Sequence, residues 1–310
     1  MSNFYDNITT LPQVIQDMQF ALMTNRSAFF ANGLFALDSG GPVGGDYARR
    51  RYSGEDSSHD VTITGDAKSP GYVGAYADLA PVCRRMRYRR ILAQTAEAEA
   101  SLGSVNDPEA RILKQSARFW ASEWDGAAGS VISACFGAGG CLNTTHTLTK
   151  AVGSGTPVTL GYSALIDAMA VLGDRGSEAV AVVAHSKCAA DLLKESGSRA
   201  TFIPVSGTRM YDSGVFVGSL KLLVSDAVPT SGSGTFKTFT SIVLCAGSLW
   251  FSPQTALTEV RAPRPEIPAL DLTEHWAAAI GLSGVKYTGT SVPPSNSDLS
   301  QVGDWSLTIS

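Results

Sequence analysis

The residues able to do covalent or ligand chemistry are spread along the chain rather than gathered into a motif. A serine hydrolase of the α/β type needs a nucleophile elbow, G-x-S-x-G. The nearest stretch, Gly161-Tyr162-Ser163-Ala164-Leu165, lacks the last glycine. A phosphate-cradling loop needs glycines followed by Lys-Ser or Lys-Thr, and no Gly-Lys pair occurs. Gly137 and Gly139 begin a G-x-G, but Leu142 stands where the third glycine of a dinucleotide fingerprint belongs. His59, His146, His185 and His275 are far apart, and none has a second ligand at helical spacing. His185-Ser186 follows an apolar run and holds the elements of a base and a nucleophile. Neither an orienting acid nor an oxyanion device can be named for it, so Ser186 reads as a helix cap. Five cysteines without a C-x-x-C pair look like neither a zinc site nor a disulfide framework. They read as scattered buried thiols in a reducing cytoplasm. The expectation is no catalytic set, no cofactor and no metal.

Two arginine-rich stretches remain. Arg49-Arg50-Arg51-Tyr52 is followed by the acidic Glu55-Asp56. Further on, Arg84, Arg85, Arg87, Arg89 and Arg90 cluster within a strand-like segment, Val82 to Leu92, with Arg85, Arg87 and Arg89 on one side and Met86 and Tyr88 on the other. Such arginines bind phosphate or pair with carboxylates, within a chain or across a subunit contact. The net charge of −4 favours ion pairing, because wrapping nucleic acid takes many cationic side chains.

The element that positions everything else is Asp107 to Phe136. Asp107-Pro108 is a helix start: an acidic cap, then a proline where its missing N–H costs nothing. Leu113, Ala117, Trp120, Trp124, Ala128, Val131 and Cys135 then recur in steps of three and four, one face of a helix. Gly137-Ala138-Gly139-Gly140 ends it. Unbroken, this rod is about 43 Å long at 1.5 Å per residue. Gly126 and Gly129 are its weak points, where a bend or a close backbone contact is plausible.

The rest of the chain falls into order around it. Thr10-Leu11-Pro12 opens a short helix with Val14, Ile15, Met18 and Leu22 as its stripe, and the first forty residues read as an arm rather than a compact unit. From Asp38 to Tyr76, glycine clusters flank an alternating Val61-Thr62-Ile63-Thr64. This is an extended hairpin that builds little core, and it reads most easily as packing on another subunit. Gln94 to Leu102 is a short helix closed by Gly103. After Gly140 the pattern becomes α/β. Tyr162 to Leu172 is an amphipathic helix with Leu165, Ile166, Met169 and Leu172 on its stripe. Ala179 to Ala184 is a strand buried on both faces, and a helix from Ser186 runs to Gly197. Val215 to Val224, Phe239 to Ala246 and Leu249-Trp250-Phe251 are strands, Pro253 to Pro268 is extended, and Trp305 to Ile309 is apolar.

The 310 residues allow one large domain or two ordinary ones, and 44% hydrophobic residues suffice for a substantial core. The 17% charged fraction is low, and 31 glycines point to many turns. The first residues lack the basic and apolar regions of a signal peptide. No apolar run reaches about 18 residues, so no membrane span is expected.

Several short motifs in this order resemble the major capsid proteins of tailed bacteriophages, the Hong Kong 97 fold. They are Arg51-Tyr52-Ser53-Gly54-Glu55-Asp56, Tyr76-Ala77-Asp78-Leu79 through Ile91, Asn106-Asp107-Pro108 with Phe119-Trp120-Ala121, Gly173-Asp174, Ala184-His185-Ser186, and Asp298-Leu299 with Trp305. Their order and spacing carry the resemblance. One departure is Ala262 after Arg261, where the similar proteins carry an acidic residue.

The resemblance implies an α+β capsid fold: an N-terminal arm (1–37), an extended loop (38–76), a peripheral domain (77–141) with spine helix 108–136, an axial α/β domain (142–240), and a return to the peripheral domain (241–310). It implies self-assembly into pentamers and hexamers of an icosahedral shell around double-stranded DNA held by weak inner-wall contact. Scaffolding, portal and decoration proteins are further candidate partners. It implies a virion location after assembly in the host bacterial cytoplasm. The candidate subunit-interface residues are Arg49, Arg50, Arg51, Glu55, Asp56, Arg85, Arg87 and Arg89. Two other readings stand beside it: an encapsulin-like protein compartment with the same fold, and a soluble α/β hydrolase using Ser186 or Ser163.

The hairpin generates a test. Because 38–76 adds few apolar groups to a core, deleting its tip should leave a folded, soluble subunit that no longer forms shells. Circular dichroism and size-exclusion chromatography read the two properties separately; loss of folding would place the hairpin in the core.

Overall fold

The computed structural model describes residues 20–38, 45–53, 75–92, 108–148, 159–196, 210–217, 220–225, 228–231, 237–264 and 269–308. The long helix runs from Pro108 to Phe136 without a break at Gly126 or Gly129. All seven residues of its expected stripe are buried. A side chain at Gly126 would meet only the Asn296 amide at 3.5 Å, so the close approach there is ordinary van der Waals contact.

This helix lies against a seven-stranded sheet. Its strands are β1 (Phe35–Leu37), β2 (Tyr47–Ser53), β3 (Ala75–Leu92), β10 (Leu249–Arg264), β11 (Ala269–Leu282), β12 (Val285–Tyr287) and β13 (Trp305–Leu307). The spatial order is β1-β10-β11-β3-β12-β13, with β2 pairing β3 at its side. A second sheet holds β4 (Ala179–Ala184), β5 (Met210–Val217), β6 (Leu220–Ser225) and β9 (Ile242–Cys245) in the order β5-β6-β4-β9. The pair β7 (Thr230–Ser231) and β8 (Thr238–Phe239) stands apart.

Alternation decides which faces are buried. In β11, Leu272, Glu274, Trp276, Ala278, Ile280 and Leu282 point inward, while Thr273 and His275 point outward. In the second sheet, Ala181 and Val183 join the core around the long helix. Val182 and Ala184 face a separate core with the helices α3 (Tyr162–Val171) and α4 (Ser186–Ser196). Both faces of β4 are therefore covered, as its unbroken apolar run requires.

The main core is aromatic. Trp124 packs edge-on against Phe251 and Trp276, with ring centroids 5.4 Å away in each case. Trp120 lies 5.5 Å from Trp276. Phe251 in turn meets Phe30 and Phe35 at 5.2 and 5.8 Å. The tryptophans thus join the long helix, two strands and an N-terminal segment in one contact set.

The structure corrects several expectations. Residues 20–37 are core rather than free arm: Met23, Phe29 and Leu34 are buried, and β1 pairs in parallel with β10. The basic strand begins at Ala75 rather than Val82, because β2 pairs along its first seven residues, from Ser53↔Ala75 to Tyr47↔Pro81. The base of the hairpin is therefore sheet. Val215 to Val224 divides into β5 and β6, which pair antiparallel with Val217 opposite Leu220. Phe239 to Ala246 is interrupted after Phe239, and β9 begins at Ile242. The described part of the proline-rich run, Pro253 to Arg264, is extended as expected and continues Leu249-Trp250-Phe251 as the long strand β10, with register shifts beside Pro253, whose N–H is missing. On α3, Leu165 is buried but Ile166 is 65% exposed, since one side of the helix alone meets the sheet. Of the helix expected from Thr10, residues 20–26 are described and are helical; its start, the helix expected from Gln94 and most of the hairpin lie outside the described residues. No helix among the described residues is long and apolar enough to cross a membrane.

Truncating a buried tryptophan costs about 3–5 kcal/mol. Trp124→Ala should therefore lower the thermal midpoint sharply or leave the protein insoluble. Unchanged melting by calorimetry would show that this ring does not hold the helix to the sheet.

Candidate functional site

The outer segment of β3 carries the arginines, and its pleat separates them from their neighbours. Met86 and Tyr88 are 63% and 51% exposed. Arg85 and Arg87 turn the other way, over the long helix. Arg85 Nη1 donates to the Pro294 carbonyl at 2.7 Å, Nη2 donates to Asn296 Oδ1 at 2.9 Å, and Nε lies 3.8 Å from the Glu123 carboxylate. Arg87 Nη1 donates to the Gln115 carbonyl at 3.0 Å, with the guanidinium 4.4 Å over the Phe119 ring. These partners all lie in the same chain. Arg89 pairs through its backbone with Leu272. Arg84, on the exposed side, reaches Asp46 at 3.4 Å, a surface pair worth little.

On β2, Arg49 is exposed and Arg50 donates to Ser283 Oγ at 3.4 Å. Arg51 stands opposite Ala77 in the ladder. Glu55 and Asp56 lie outside the described residues. The fold thus brings Arg85 and Arg87 together over the helix, while Arg49 to Arg51 run along the base of the hairpin.

Three buried carboxylates, which sequence reasoning did not single out, join remote segments. Asp125 on the long helix lies 2.5 Å from Ser27 Oγ and accepts from the Ala28 N–H at 3.0 Å, holding the helix α1 (Ala28–Ala31). Glu274 accepts from Ser116 Oγ at 2.5 Å and Trp120 Nε1 at 2.8 Å. Asp78 accepts from the Gly284 N–H at 3.0 Å and Thr308 Oγ1 at 2.6 Å. Asp125 follows Trp124 in what reads as a plain helical stripe; its only sequence signal is a charged residue beside the buried face.

The motifs flagged from the sequence resolve into packing. Ser295 and Asp298 form a capping box, and the Ser295 hydrogen bonds hold the Asp298 carboxyl below its ordinary range. Trp305 Nε1 donates to the Leu299 carbonyl at 2.9 Å. At His185-Ser186 it is the histidine that caps: Nδ1 accepts from the Lys187 N–H at 3.2 Å, and the ring rests 4.5 Å from Phe239. Ser186 is the first residue of α4 instead of its cap. An Nδ1 engaged by a backbone donor is poorly placed to serve as a base for Ser186 Oγ, 3.4 Å away. Among the described residues no three His, Cys, Asp or Glu side chains come together as a metal site.

An aromatic-anchored spine helix on a mainly antiparallel sheet, beside a smaller mixed α/β sheet, is the α+β architecture of Hong Kong 97-type capsid proteins, and the chain has that fold. It superposes on the capsid of Ralstonia phage GP4 with a TM-score of 0.55 over 84% of this chain and 87% of that one, at 9% identity. The capsid structure of cyanophage P-SCSP1u gives 0.49 over 80% and 83% at 14% identity. The satellite phage P4 procapsid gives 0.49 over 86% and 94% at 12%. No protein-family model and no curated protein sequence matches the chain.

Asp125 makes folding depend on pH. Burial raises its pKa to about 7, against the smaller downward pull of hydrogen bonds from Ser27, Ala28 and Phe29. A carboxyl whose folded pKa lies above its unfolded value, near 4, takes up a proton on folding. Its contribution is full below about pH 4, declines as pH rises to about 7, and is flat beyond, a span on the order of 4 kcal/mol. Asparagine copies the protonated form, with its amide N–H₂ toward Ser27 and its oxygen toward Ala28. Asp125→Asn should thus raise the melting temperature at pH 8 and leave it unchanged near pH 4. A difference between variant and parent that is constant across this range would exclude the buried acid as the cause.

Proposed function

We propose that this chain is the major capsid protein of a tailed bacteriophage, assembling through pentamers and hexamers into an icosahedral shell around double-stranded DNA. The observation that carries this reading is the fold, shared along most of both chains with a phage capsid structure. The role is structural, and the chain performs no catalysis. Its first partner is itself; scaffolding, portal and decoration proteins are the others. The shell forms in the host bacterial cytoplasm and ends in the virion.

The charges support this reading. Arg85 and Arg87 are spent on stiffening the subunit, so the arginines that meet a neighbour are Arg49 to Arg51, with Glu55 and Asp56 beyond them on the loop and Arg89 farther along β3. With a net charge of −4, the wall touches DNA weakly, which suits a genome that must slide in and out. Residues 1–37 act as an arm anchored to the subunit by its packed part, 20–37, 38–76 as the loop over an adjacent subunit, 77–141 and 241–310 as the peripheral domain, and 142–240 as the axial domain.

The test is assembly. Purified protein examined by analytical ultracentrifugation and negative-stain electron microscopy should give rings or shells in a megadalton peak. A stable monomer across concentrations and salt conditions overturns the proposal. Shells that enclose protein cargo instead of DNA during expression with phage packaging components would assign the fold to a compartment.

A further inference from the structure

The long helix carries a second stripe beside its aromatic one. Lys114, Arg118, Ala121, Asp125, Ala128 and Ile132 recur in alternating steps of four and three, so they share one flank. Ala121, Asp125, Ala128 and Ile132 are buried, whereas Lys114 and Arg118 are exposed. At Asp125 the cover is the N-terminal segment: Ser27 Oγ lies 2.5 Å from the carboxylate, and the Ala28 N–H donates to it at 3.0 Å.

That segment runs in the same direction as the helix. Phe20 rests 6.0 Å from Trp276, whose ring meets Trp120 at 5.5 Å. Ser27 stands at Asp125, and Phe35 to Leu37 pair with Leu249 to Phe251, opposite Ile280 to Leu282 of β11. β11 follows the helix through the same levels, from Glu274 at Ser116 to Trp276 at Trp124. Going back from Phe20 therefore leads toward the N-terminal half of the helix, where the flank is open. Residues 20–26 are helical, and the sequence pattern extends that helix upstream to Thr10. Residues 1–19, outside the described residues, contain Asp6 and Asp17 and no lysine or arginine. The open flank ahead of them presents two cations.

We propose that residues 10–19 lie as a helical strap along this flank of their own subunit, with Asp17 paired to Lys114 and Arg118. Asp17 precedes Ser27 by ten positions, while Lys114 and Arg118 precede Asp125 by eleven and seven. At 1.5 Å per helical residue these offsets are about 15, 16 and 10 Å, so a strap fixed by Ser27 at Asp125 carries Asp17 to the level of Lys114. The strap is then fastened twice: by a helix acid that holds Ser27 and Ala28, and by helix cations that hold a strap acid. Lys114 and Arg118 are thereby taken up within the chain, which closes the flank to the phosphates that they would otherwise attract. The contact goes beyond the shell reading, because it needs no second copy.

The test is hydrogen–deuterium exchange of the full-length protein, read by mass spectrometry on peptides covering 10–19. The unassembled parent protein should protect these amides. Lys114→Glu with Arg118→Glu should speed their exchange roughly fivefold, through lost pairing and new repulsion, while peptides from the long helix keep their protection. Adding Asp17→Lys should restore the slow exchange. Should the double variant fail to fold, Asp17→Lys alone probes the same contact from a residue upstream of the packed segment, and should speed the exchange likewise. Amides of 10–19 that exchange in the parent as fast as in a free peptide overturn the proposal. Protection that arises only in rings or shells also overturns it, and gives the strap to a neighbouring copy. So does exchange that the charge reversals leave unchanged; a loss of salt-sensitive DNA binding in that variant would give the cations to phosphate.

Discussion

The structure depends on one packing constraint: Trp120 and Trp124 must reach Trp276 and Phe251 across the space between the long helix and the sheet. Their rings meet edge-on, the geometry that the aromatic quadrupole favours. Because Phe251 also contacts Phe30 and Phe35, the same contact set recruits the N-terminal segment. β1 then takes the edge position beside β10, in parallel register from Phe35↔Leu249 to Leu37↔Phe251. Moving the helix by one residue would rotate its stripe by about 100° and withdraw both indoles. Hydrophobic area supplies the attraction, and ring shape sets the register.

Buried carboxylates refine what the aromatics begin. A buried acid without partners is costly, so each demands the segment that supplies its donors. Asp125 demands Ser27 and Ala28, Glu274 demands Ser116 and Trp120, and Asp78 demands Gly284 and Thr308. These pairs join chain segments separated by some 100 to 230 positions. In a chain with so few charges, a carboxylate inside is a specific joint between elements.

The arginines of β3 follow from the same economy of charge. Strand alternation separates Arg85 and Arg87 from Met86 and Tyr88. The two guanidiniums then lie on the helix side, where Glu123, the Gln115 carbonyl and the Phe119 ring are within reach. The opposite face of the sheet presents Tyr88 and Val260 in one row with Thr273 between them, by register. One strand thus gives a charged face that stiffens the subunit and an outer face, with Met86 and Tyr88 beside Arg84, open to solvent. That division makes Arg85 and Arg87 internal struts.

Much of this was legible in the sequence. The helix from Pro108 to Phe136 and its buried stripe followed from a cap, a proline, a three-four period and terminal glycines, all local signals. The two-sided burial of Ala179 to Ala184 followed from an unbroken apolar run, and the capsid-type fold followed from the order of several short motifs. Tertiary structure decided the rest, because it depends on contacts between residues far apart in the chain. It placed residues 20–37 in the core, since Phe29 and Leu34 found apolar partners that no local window reveals. It joined Leu249-Trp250-Phe251 and the proline-rich stretch into one sixteen-residue strand, with register shifts against β11 beside Pro253. It gave the capping role to His185 rather than Ser186. The sequence determined what each segment could be; long-range packing determined which surface of it met which partner.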